Sequence, residues 1–108
     1  MISFLISSLC GHNTEISANL KDENSLNIEI KTTCKKVKEY AKLIESLTLK
    51  EASLPILKNK IYIKASEAML EPTCLIPCGV AFASWAELGL ISKNLLLKFP
   101  FQYIMLKQ

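Results

Sequence analysis

At 108 residues, half of them hydrophobic and 21% charged, the chain has the make-up of one compact domain over residues 1–108, which excludes a disordered tail or linker. Its formal charge of +3 comes from 13 basic residues, all of them lysine and scattered. Without the planar guanidinium that grips phosphates and guanine edges in pairs, nucleic acid is not expected as a partner. No run approaches the roughly 18 consecutive apolar residues of a membrane helix, and MISFLISSLCG lacks the basic start of a signal peptide. No membrane contact is expected, and the chain is placed in the cytoplasm, where thiols are kept reduced.

In chain order, Ile2, Phe4 and Ile6 alternate with serines, the period of a half-covered strand. Gly11, His12 and Asn13 break it. Residues 15–21 alternate again, with Ile16, Ala18 and Leu20 on one face, and DENS at 22–25 is turn chemistry. Leu26, Ile28 and Ile30 mark a third strand, so an antiparallel meander is predicted. From Cys34 the period lengthens. Val37, Tyr40, Ala41, Ile44 and Leu47 fall at helical spacing, with Lys and Glu on the other side. A second helix is predicted from Pro55, a first-turn residue, to Leu70, although Ile61 and Ile63 also suit a strand. The third, from about Cys78 to Leu88, is apolar nearly all round and should be central, with Gly89 ending it. KNLLLKF reads as a last strand, followed by an apolar tail, FQYIML, that would be costly to leave in water. Trp85, Phe82 and Met69 read as core. The expected fold is α+β, a two-layer sandwich with a mostly antiparallel sheet and helices on one face, in the order β-β-β-α-α-α-β.

The four cysteines carry most of the chemistry. By parity Cys10 continues the inward series of the first strand and Cys34 that of the third. These two strands run the same way, so both thiols belong at one sheet edge. Two helices running out and back return Cys74 and Cys78 to that edge. The gap Cys74-x-x-x-Cys78 falls within the two to four residues common in tetrahedral zinc sites, and thiolates equally hold iron–sulfur clusters. Pro77 places Cys78 near a helix N-terminus, where the dipole favours thiolate. Free cysteine is also a common core residue, so inert packing stays open. His12, the one histidine, is an auxiliary ligand candidate or an exposed turn residue. No Ser-His-Asp arrangement and no phosphate-binding glycine loop is present.

Three stretches, SSLCGHNTEI at 7–16, IEIKTTCKKV at 28–37 and CLIPCGVAFASWAELGL at 74–90, resemble an uncharacterised family of small three-cysteine α+β proteins, largely archaeal and anaerobic-bacterial. The resemblance carries Cys10, Gly11, Cys34, Cys74, Pro77 and Glu87 across; Cys78 and the tail after Phe99 fall outside its pattern. It brings no activity with it, but an anaerobic setting would permit oxygen-sensitive iron–sulfur clusters.

The reading preferred from sequence is a cytosolic accessory protein, non-catalytic, holding a zinc ion or an iron–sulfur cluster through Cys10, Cys34, Cys74 and Cys78, with His12 and Glu87 as auxiliary residues. Two others stay open. One is a thiol redox protein attacking through Cys78 or Cys74; the other is an interaction module, a homodimer formed through the C-terminal strand, with inert cysteines. A redox partner is left unspecified.

Overall fold

The computed structural model describes residues 1–108. Strands β1 (Ile2–Ser7), β2 (Asn13–Asp22) and β3 (Ser25–Lys31) form the predicted meander, and a short β4 (Ser46–Thr48) adds to its far edge, giving the antiparallel order β1-β2-β3-β4. Registers such as Phe4 opposite Ile16 and Ile16 opposite Ile30 stack apolar side chains across strands. Ile16, Ala18, Leu26 and Ile28 are buried, whereas Leu5, Asn27 and Glu29, of opposite parity, are exposed.

Five helices follow the meander: α1 (Lys35–Leu43), α2 (Leu49–Ser53), α3 (Lys60–Glu67), α4 (Ile76–Glu87) and α5 (Lys93–Lys98), with a single 3-10 turn at Ile56–Lys58. Helix α4 lies across β1, β2 and β3. It comes close because Gly79 faces the sheet; a Cβ there would meet Ile6 Cδ1 and stand 2.8 Å from Ile16 Cδ1. Tyr40 is fully buried, and its hydroxyl donates to the Ile61 carbonyl at 3.0 Å, tying α1 to α3. Burial, then the neighbouring Tyr62 and Cys74, raise its pKa and keep it a neutral donor.

The element order departs from expectation in four places. Helix α1 stops before Ile44, and Leu47, read as helical, lies on β4 opposite Leu26. It is buried all the same, so one hydrophobic position satisfied both readings. Pro55 precedes the 3-10 turn instead of opening a helix; α3 starts at Lys60, capped by Asn59, whose Oδ1 accepts from the Ile61 amide at 2.9 Å. The Asn59 amide also donates to the Ala52 and Leu54 carbonyls, which pins α2 against α3. KNLLLKF is helix α5, not a strand, with the Ser92 hydroxyl accepting from the Leu95 amide. Finally β1 ends at Ser7, three residues before Cys10. No helix is long and apolar enough to cross a membrane.

Candidate functional site: a thiol-lined cavity

Three cysteines reach one cavity by three different local devices. The β1–β2 connection is a five-residue loop, residues 8–12, closed by hydrogen bonds from the Gly11 amide to the Ser8 carbonyl and from the Ser8 amide to the His12 carbonyl. Gly11 sits at φ 88°, in the left-handed region that a glycine enters freely. Cys10 therefore stands on the loop and is exposed, not on the inward face of a strand as parity predicted. Cys34 is the residue preceding α1, half-buried, its amide donating to Thr32 Oγ1 at 3.2 Å. Cys74 closes a turn in which its amide donates to the Glu71 carbonyl at 2.9 Å, with Pro72 fixing the bend.

A cavity of about 590 Å³ collects them: Cys10, Cys34 and Cys74 line it together with His12. Two side-chain hydrogen bonds, one from the β1–β2 loop and one from the start of β2, reach the approach to α1. Thr14 Oγ1 meets Thr32 Oγ1 at 2.9 Å, and His12 Nδ1 meets Thr33 Oγ1 at 2.7 Å. Thr14 is almost fully buried at 2% exposure and forms part of the floor. Neither threonine contact was anticipated from sequence, although Thr32-Thr33-Cys34 directly preceding a helix is a capping-type run that could have suggested one.

Burial raises the Cys74 pKa; the Ile76 amide at its sulfur works against this, and Cys34, Cys10 and Glu71 add to the rise. Cys34 and Cys10 thus lie near enough to bear on the Cys74 sulfur. A raised pKa leaves less of Cys74 as thiolate.

Cys78 does not join them. It is exposed in the first turn of α4 and does not line the cavity; the Tyr62 phenol in α3, its pKa raised by burial and then by Cys78, lies near it. Glu87 lies at the other end of α4, about 18 Å along a twelve-residue helix. Its carboxylate pairs with the Met1 amino group at 3.3 Å and Lys93 at 3.2 Å, a structural role. No three His, Cys, Asp or Glu side chains gather closely enough to hold a single metal ion. The four-cysteine tetrahedron expected from topology is therefore replaced by three thiols spaced around a wider cavity.

The family model of DUF6951, a family of unknown function, matches residues 5–99. The chain belongs to that family. The match takes in all three cavity cysteines and α4; residues 1–4 and the tail from Pro100, which includes Ile104 at the cavity, lie outside it. No curated protein and no solved structure matches the chain.

Proposed function

We propose that this DUF6951 protein is an accessory protein that holds an iron–sulfur cluster through Cys10, Cys34 and Cys74. The observation that carries the reading is that three thiols, far apart in sequence, line one cavity of about 590 Å³. Zinc fits less well. A lone ion about 2.3 Å from each sulfur needs its ligands drawn tightly together, and no such group is present. A polynuclear cluster is a larger body held by thiolates at its corners, and it suits donors spread around a wide cavity. When bound, the cluster would supply reducible iron; the chain supplies three sulfurs, a partly apolar wall and the two threonine-anchored segments that hold Cys10 and Cys34 in register. The test is iron, zinc and sulfide analysis of anaerobically purified protein with Cys10→Ser, Cys34→Ser and Cys74→Ser beside it. Stoichiometric iron and sulfide, lost in all three variants, is the expected result; stoichiometric zinc, or no metal, refutes it.

A second reading concerns partners. Phe101, Tyr103, Ile104, Met105 and Leu106 are all at least 74% exposed, an apolar surface costly in water. Strand β1 is an edge strand with no charged residue and no proline to guard it. A second copy of this chain, with its tail laid on that edge, accounts for both features.

A further inference from the structure

Apolar side chains that water reaches stand around the thiol cavity. Leu9 and Leu75 line it and are exposed, Leu75 at 39%, and Ile104 lines it while 87% exposed. They come from separate parts of the chain: the β1–β2 loop, the residue before α4 and the C-terminal tail. Apolar surface gathered around one opening gains by closing on itself.

Of these side chains, Ile104 is the least tethered. Residues 100–108 form no helix or strand, and no backbone-to-backbone hydrogen bond holds them. Leu9, by contrast, sits in a loop closed by two hydrogen bonds at Ser8, and the Leu75 carbonyl accepts from the Gly79 amide of α4 at 2.9 Å. Ile104 also stays close at hand. It lies five positions beyond Phe99, the end of α5, a span of at most roughly 17 Å when fully extended. The run Tyr103–Leu106 carries no charge, so nothing in it resists entry into an apolar opening.

We propose that in the monomer the tail from Pro100 is a strap: Ile104 closes on Leu9 and Leu75 and screens the half-buried Cys34 and Cys74 from reagents in solution. The apolar gain of closing is offset by the entropy of ordering the tail, so the strap opens and closes, and the screened thiols react through the open state. Cys10, exposed on its loop, is screened less. The strap goes beyond the cluster reading and does not rest on it, because it governs access to the cavity with or without a metal there.

The experiment uses the full chain, reduced and metal-free, at a concentration where it sediments as a monomer. Iodoacetamide is the probe, and peptide mass spectrometry reads the alkylation rate of each cysteine in wild type, Ile104→Ser and Ile104→Leu. Cys78, exposed and off the cavity, is the internal standard. Cys34 and Cys74 should react about threefold faster in Ile104→Ser, the change expected when a strap closed for about two-thirds of the time no longer closes. Ile104→Leu should match wild type, and Cys78 should react alike in all three. Unchanged Cys34 and Cys74 rates in Ile104→Ser overturn the proposal. An equal rise at Cys78 does so too, since it reports a loosened fold. Protection of the wild type that appears only at concentrations where the chain pairs places the covering tail on a second copy, and likewise overturns the strap.

Discussion

Glu87 shows how a residue can be singled out correctly and given the wrong task. Its side chain is only 5% exposed, and burial alone would raise its pKa; the hydrogen bonds from Lys93 and the Met1 amino group, with their charges, outweigh that and hold the carboxyl below the usual range. A depressed folded pKa contributes stability that is complete above the ordinary glutamate value of about 4.3 and fades as pH falls through the folded value. Glu87→Gln should therefore cost about 1–3 kcal/mol at pH 7, with the two proteins converging in acid. Urea denaturation at several pH values measures the gap, and one that stays constant into strong acid would remove the ion pair from the account. Met69 marks the limit of sequence reading at this scale. It fell on the expected core stripe, yet it is 75% exposed at φ 59°. It ends α3 in a Schellman turn, with the Leu70 amide bonded to the Ala65 carbonyl. Glycine normally advertises that position, as Gly89 does after α4, where the Leu90 amide reaches the Trp85 carbonyl. A methionine there sends no such message.

Among the elements, those with a long, clean period were legible: the meander, the existence of α1 and the buried α4 all follow from spacing. The misreadings share a cause. Leu47 and the leucines of KNLLLKF are apolar in short runs, which fit helix and strand alike, and short-range capping decides between them. Thr48 and Glu51 form a capping box that opens α2 immediately after β4, and Ser92 caps α5. Both were visible as T-x-x-E and S-x-x-L but were outweighed by periodicity. The convergence of Cys10, Cys34 and Cys74 was legible from topology, while Cys10's position was not, because the hairpin turns at Ser8 and so breaks the parity. The element that locks this arrangement is α4, and its contact with the sheet depends on Gly79. Gly79→Val places two methyl groups where Ile6 and Ile16 already sit and should cost about 1–3 kcal/mol by overpacking. Gly79→Ala should come within about 1 kcal/mol of wild type, since the Ile6 and Ile16 Cδ1 atoms it meets are the rotatable ends of side chains and helix propensity gains up to about 1 kcal/mol. Thermal or denaturant unfolding of the pair reads the difference; a valine variant as stable as wild type would mean that α4 does not need this close approach.

For the whole molecule, the boundary between domain and tail is the informative feature. The family match stops at Phe99. Beyond it every residue is exposed, and none donates or accepts a backbone hydrogen bond outside regular structure. The radius of gyration is 13.3 Å, close to the roughly 13 Å of a compact chain of about 100 residues, and Ile104 reaches the mouth of the thiol cavity. The domain core, from Ile16 through Ala83, is complete without it. Removing residues 100–108 should therefore leave the far-ultraviolet circular dichroism of the remaining chain and its unfolding midpoint nearly unchanged. If the tail joins two copies along the β1 edge, the same deletion converts a dimer of the 12.1 kDa chain into a monomer by sedimentation equilibrium. A charge placed on that edge, Leu5→Lys, should do so too, because edge strands are protected against pairing by charge of this kind. A full-length protein that sediments as a monomer, or a truncated one that remains dimeric, would dissociate the exposed tail from self-association. The tail's place beside the cavity, where Ile104 contributes to the wall, would then be its remaining role.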